Sequence, residues 1–196
     1  MGPSLMILLR LILAMYFISE VSRSVFQRLK TENTFQAVSL VEFKNIKCES
    51  MDKEFCTFEY CLLKSVNRTY KYFSLRANLL KVPVTNCKVN GALYQRHNGY
   101  KPFLYNITVD ACKFVSNQKT NRVAEFLFNS FKRFTNLNHS CPYDHDIVLD
   151  KVTIGSVNNF LTKALPFPDG DYMLETDWYT NGIRRVVFKV FMSLRN

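Results

Sequence analysis

Three histidines, six cysteines and sixteen carboxylates are the residues here whose chemistry could serve a metal or a reaction. Their densest run is His139-Ser140-Cys141-Pro142-Tyr143-Asp144-His145-Asp146. Zinc sites usually show two tight ligand pairs, of the C-x2-C or H-x3-H kind. The run has no such pair, and an oxidised Cys141 cannot ligate, so no metal is expected. Asp144, Asp146 and Asp150 include candidate carboxylate pairs, but acid–base work depends on a separation that spacing alone does not supply. No H-E-x-x-H, G-x-S-x-G or phosphate-cradling glycine loop occurs, and Gly155-Ser156 lacks the flanking glycine of a nucleophile elbow. No catalytic residue and no cofactor is expected, and the chain reads as a non-enzyme.

The cysteines read differently. Cys48, Cys56, Cys61, Cys87, Cys112 and Cys141 are an even set that an oxidising compartment can pair, with fifteen connectivities open. Asn67, Asn106 and Asn138 each head an N-x-S/T sequon, which predicts solvent-facing, glycosylated asparagines. Residues Leu5 to Ile18 are apolar apart from Arg10, which suits a secretory signal peptide and splits the run too early for a spanning helix. Residues 1–24 are therefore expected to be a signal peptide, 25–40 a lead-in and 41–196 one domain. The expected location is extracellular, with no stable membrane insertion.

The formal charge is +10. Removing residues 1–24, with Arg10, Arg23 and Glu20, leaves +9. Such a balance suits nucleic acid, anionic lipid or acidic glycan; secretion argues against nucleic acid.

What must position all of this is a set of short strands. Phe73, Leu75, Ala77 and Leu79 alternate with Ser74, Arg76 and Asn78. Cys87, Val89, Gly91 and Leu93 do the same, as do Phe103, Tyr105, Ile107 and Val109, and then Val186, Phe188, Val190 and Met192. Period-two alternation places one set on a buried face and the other in water. Asn98-Gly99, Pro168-Asp169-Gly170 and Asn181-Gly182 punctuate the stripes, and the last predicts a terminal hairpin of Leu174–Tyr179 with Ile183–Leu194. Trp178 falls on the apolar phase of its strand with Leu174. Val123, Phe126, Leu127, Phe131 and Phe134 recur at helical spacing instead, predicting one amphipathic helix over 121–134. The fold class is mainly β: a sandwich of about seven to nine strands with that helix at an edge or over a cavity mouth.

Specific strings carry a family resemblance. Cys112, Cys141-Pro142-Tyr143, Leu165-Pro166-Phe167-Pro168-x-Gly170-x-Tyr172 and Trp178 resemble the ML lipid-recognition superfamily. The helix-bearing insertion between Cys112 and Cys141 resembles its ganglioside-activator branch. Phe43-x-Asn45-x-Lys47-Cys48, Cys61-Leu62, Asn98-Gly99-Tyr100-Lys101-Pro102-Phe103-Leu104-Tyr105 and Asp110-x-Cys112-Lys113 are similar to a large insect group of secreted proteins, with a domain of unknown function, related to CheB chemosensory proteins. The resemblance covers roughly residues 41–194. It implies an immunoglobulin-like β-sandwich splayed into a cup that holds an apolar ligand. It also implies Cys112–Cys141 and Cys48–Cys61 bridges, with Cys56 and Cys87 remaining. The superfamily's usual bridge to a C-terminal cysteine cannot form, because no cysteine follows Cys141.

Two functions follow as expectations. The first is non-enzymatic binding of a hydrophobic small molecule or lipid, in chemosensation, by Phe73, Leu75, Leu79, Val89, Leu93, Phe103, Tyr105, Ile107, Leu174, Trp178, Phe188 and Val190. The second is a filled-core interaction module acting on a receptor or other extracellular partner through its basic surface and outward aromatics such as Tyr94 and Phe191.

Overall fold

The computed structural model describes residues 15–16, 18–24, 40–67, 70–158 and 167–195. The chain divides into two units, Met1–Val38 and Ser39–Asn196. In the first, residues 15–16 and 18–24 are helical. The expected lead-in lies almost wholly outside the described residues. No helix among the described residues is long and apolar enough to cross a membrane.

The second unit is mainly β. Its strands are β1 (Leu40–Ser50), β2 (Cys56–Ser65), β3 (Lys71–Leu79), β4 (Lys88–His97), β5 (Gly99–Asp110), β6 (Ile147–Thr153), β7 (Gly170–Thr180) and β8 (Ile183–Arg195). Between β5 and β6 stand α1 (Ala111–Ser116) and α2 (Arg122–Phe131). The strands form a five-stranded sheet, in the order β1-β8-β7-β4-β5, and a three-stranded sheet, β2-β3-β6. Every pairing between these strands is antiparallel.

Local chemistry explains the joints. Asn181 and Gly182 both adopt positive φ, at 52° and 76°, between the paired residues Thr180 and Ile183. Two left-handed residues make the tight turn whose twist matches its flanking strands. The terminal hairpin forms as the sequence predicts, with its first strand starting four residues earlier, at Gly170, and each strand ending one residue later. At α2, the Asn121 side chain accepts from the Val123 and Ala124 amides at 3.1 and 3.0 Å, capping donors the helix cannot satisfy itself. A 3-10 turn over Lys132–Phe134 completes the predicted helical stretch. Beside that helix stand α1 and a helical turn at 154–158. Asp110 caps α1 by accepting from the Lys113 amide at 3.1 Å.

The sheets meet across one core. Phe43 and Ile46 of β1 and Val190 of β8 pack on Phe73 and Leu75 of β3 and Leu149 and Val152 of β6. Phe43 and Phe73 meet edge to face, with ring centroids 5.2 Å apart. Burying side chains of this size contributes about 1.5–3 kcal/mol each. The Cys48–Cys61 disulfide ties β1 to β2, and Lys71 of β3 pairs with Glu42 of β1, so both links cross between layers.

Two positions expected in water are buried. Ser74 donates to Asp150 at 3.1 Å and accepts from the Lys151 amide at 2.8 Å, where Lys151 takes a positive φ of 52°. Ser193 donates to Asp171 at 2.6 Å. A serine hydroxyl can be buried on the outer face of a strand when a neighbouring strand supplies its partner.

Candidate functional site

Five strands in one layer face only three in the other. The three-stranded sheet packs against β1 and β8, while β4, β5 and β7 look toward the α1–α2 segment. Phe114 of α1 and Phe128 of α2, with ring centroids 5.7 Å apart, pack near Ile107, Val109 and Trp178. Helices do not lie as flat on a sheet as another sheet does. Between these walls is a cavity of about 560 Å³. That is within the range of small-molecule sites.

Eleven of the twelve proposed ligand residues line it: Phe73, Leu75, Leu79, Val89, Leu93, Tyr105, Ile107, Leu174, Trp178, Phe188 and Val190. Phe103 does not, which corrects its assignment. β5 bulges against β4 between Ala92 and Tyr94, and Leu104 takes a φ of 57°. Phe103 packs instead on Tyr172 and Phe167 at 5.6 and 6.1 Å. Sequence reasoning missed Phe55, Phe58, Phe114, Tyr143 and Tyr172 as wall residues. It saw the α2 stripe but not its destination: Val123, Phe126, Leu127 and Phe131 all line the cavity.

Most polar atoms in the wall are already satisfied. Trp178 donates from Nε1 to Thr176 Oγ1 at 3.0 Å, and Tyr172 donates to the Pro168 carbonyl at 2.6 Å. Tyr143 donates to the His139 carbonyl, and Ser130 to that of Leu127 at 2.7 Å. Arg185 lies over the Phe55 ring at 4.5 Å, pairs with Asp52 and donates to Thr180 at 2.9 Å. Tyr105 is the one lining hydroxyl with no hydrogen bond among the described residues. Arg122, at the start of α2, is the only lining residue that is exposed.

Cysteine chemistry separates into two kinds. Cys48–Cys61 and Cys112–Cys141 are bridged, and the second bridge pins α1 to the segment before β6. Cys56 and Cys87 are free, which corrects their assignment as disulfide cysteines. Both line the cavity. Burial, helped by the charge of Asp146, pushes Cys56 up to about 11. Burial, helped by Asp110, pushes Cys87 up to about 12. An apolar wall disfavours the thiolate, so neither is a nucleophile at neutral pH.

The histidine string folds into a stack rather than a ligand set. His139 and His145 approach at 3.1 Å between Nε2 atoms, and Tyr143 stacks on His139 at 4.4 Å. Among the described residues no group of three or more His, Cys, Asp or Glu is arranged to hold a metal ion. The three sequon asparagines, Asn67, Asn106 and Asn138, are exposed.

No curated protein matches the sequence. The chain is similar to a solved structure described as a Niemann-Pick type C2 protein from Japanese carpenter ant, with 15% identity, 78% of this chain and 90% of that chain covered, and a TM-score of 0.32. Residues 89–174, from the cavity-facing start of β4 to the middle of β7, match a family model described as "Protein of unknown function (DUF1091)".

Proposed function

We propose that this protein is a secreted, glycosylated, non-enzymatic binder of an apolar small molecule or lipid, held between its layers. The observation that carries the reading is a cavity of about 560 Å³ walled almost entirely by carbon. Apart from Tyr105, its wall hydroxyls and indole N–H are spent on internal bonds, so the site rewards apolar surface at about 0.8 kcal/mol per buried methylene. Tyr105 is the group left to orient a polar end. The resemblance to CheB-related proteins suggests a chemical signal as the ligand. A filled-core module acting through its surface is less well supported, because the interior is not filled.

The test is displacement of an environment-sensitive apolar dye from the oxidised, secreted protein, with native mass spectrometry of what co-purifies. Saturable dye binding with one copy of an apolar molecule retained supports the reading. Absence of both overturns it.

A further inference from the structure

The cavity wall carries charge at two residues only, Arg122 and Arg185, and both are paired. Arg122 reaches Glu125 at 3.2 Å. Arg185 pairs with Asp52 and donates to Thr180 at 2.9 Å. No lysine, histidine, aspartate or glutamate lines the cavity among the described residues. The thiols of Cys56 and Cys87 are weak donors that rest on the carbonyls of Thr57 and Lys88, at 3.8 and 4.0 Å. Tyr105 is left as the one wall hydroxyl without an internal partner among the described residues. Its oxygen is also accessible, since the fully buried side-chain polar atom that lacks a partner among these residues is Asn78 Oδ1.

The backbone explains how such a hydroxyl comes to lie there. β4 and β5 pair Ala92 with Asn106 and Tyr94 with Pro102, so Leu93 stands against Phe103, Leu104 and Tyr105. The surplus residues make a bulge in β5, with Leu104 at a φ of 57°. Bulges re-aim side chains and concentrate beside functional sites. Here Phe103 packs on Phe167 and Tyr172, while Tyr105 stays in the cavity wall. Gly91 pairs with Ile107, two residues beyond Tyr105, and a Cβ built on Gly91 meets no atom within 4 Å. Open cavity therefore borders this stretch of β5.

We infer, resting on the ligand-binding reading, that Tyr105 makes the cavity selective for an apolar molecule with one neutral oxygen-bearing group. An alcohol, aldehyde, ketone or ester is preferred over both the bare hydrocarbon and the carboxylate. The phenol can donate to any of these oxygens and can accept from an alcohol. A hydrocarbon leaves the phenol unpaired. A carboxylate meets two cations that are already neutralised, so it gives up water with no free charge to receive it. An alkylammonium meets the same penalty, because no carboxylate lines the cavity among the described residues.

The experiment is displacement of an apolar dye from the oxidised, secreted protein by compounds of one chain length. They are dodecane, dodecan-1-ol, methyl dodecanoate and dodecanoate, at neutral pH, where the last is ionised. The alcohol and the ester should each displace the dye about fivefold better than dodecane. Dodecanoate should compete at least about tenfold worse than its own methyl ester. Tyr105→Phe keeps the ring and removes the hydroxyl, and the advantage of dodecanol over dodecane should shrink to less than about twofold. Tyr94→Phe, on β4 and outside the cavity wall, should preserve that advantage. A ratio of two ligands on one protein does not respond to a general loss of stability, so it separates selection from scaffolding. Should Tyr105→Phe fail to fold, the order of the four compounds on the parent chain still decides. Dodecane or dodecanoate competing as well as dodecanol, or a dodecanol advantage that survives Tyr105→Phe, would overturn the inference and leave the ligand-binding reading in place. Displacement by none of the four would remove both.

Discussion

Trp178 and Thr176 stand two residues apart on the same face of β7, and the indole N–H donates to the threonine hydroxyl at 3.0 Å. Strand geometry puts i and i+2 on one face, so the tryptophan spends its polar edge on its own strand. What it turns to the cavity is carbon.

Trp178 is the only tryptophan, so its emission reports on the cavity wall. An apolar ligand should shift that emission to the blue and saturate at one ligand per chain. Thr176→Val leaves a half-buried N–H without its partner, at a cost of about 1 kcal/mol. Thermal melts monitored by circular dichroism should show the loss, while an unchanged Tm would mean the bond is dispensable.

Gly91 faces the cavity on β4, and a Cβ built there meets no atom within 4 Å. Gly91→Leu should therefore fill space without strain and relieve the entropic cost of a strand glycine, about 0.5–1 kcal/mol. Stability should hold or rise while apolar-dye affinity falls at least about tenfold. A variant that binds as well as the parent would place the ligand elsewhere.

The Cys112–Cys141 bridge spans 29 residues that include both cavity-closing helices. Replacing both cysteines by serine should cost about 3–4 kcal/mol by freeing the unfolded chain. It should also speed amide exchange in α1 and α2 before the strands. The Cys48–Cys61 pair, with a separation of 13, should cost slightly less and leave the helices protected.

Cys56 and Cys87 should each be counted as a free thiol in the denatured protein, giving a mass increase of two alkyl groups. In the folded state they should resist maleimide at pH 8. Folding raises these thiols from an ordinary 9.0 to about 11 and about 12. Their contribution to stability is therefore complete below pH 9 and disappears as pH climbs through 11 to 12. Rapid native labelling of either thiol would contradict the burial described here.

Glu42 titrates in the opposite sense. Its hydrogen bond to Lys44, then that to Lys71, hold its carboxyl at about 2 against an ordinary 4.5. A lowered carboxyl stabilises the fold above its unfolded value and loses that contribution as pH falls from about 4.5 toward 2. Because the pair is partly exposed, the effect is small. Glu42→Gln should flatten the acid limb of stability against pH, and an unaltered limb would assign acid sensitivity to other groups.

Much of the wall was legible residue by residue. Phe73 and Leu75, Val89 and Leu93, and Phe188 and Val190 keep period two, and a strand with that period has only one way to bury its apolar set. Asn181-Gly182 similarly demanded its hairpin, because only left-handed residues fit so short a turn. Phe103 failed where the same logic applied: beside the β5 bulge its ring packs on Phe167 and Tyr172 and is not part of the cavity wall. A bulge is a compromise between paired strands, and one strand's pattern does not contain it.

The sequence by itself determined the inward set of most strands, such as Phe73 with Leu75 and Phe188 with Val190, because alternation is written into the covalent spacing of the chain. It also determined that α2 has one apolar side, through Val123, Phe126 and Leu127. Only the tertiary structure decided that five strands oppose three, that the helices cover what the smaller sheet leaves open, and that a cavity lies between them. It likewise decided that Cys56 and Cys87 stay thiols on that volume's wall. Those outcomes depend on distances between segments far apart in the chain, where packing of one layer against another, rather than any local preference, sets the separation.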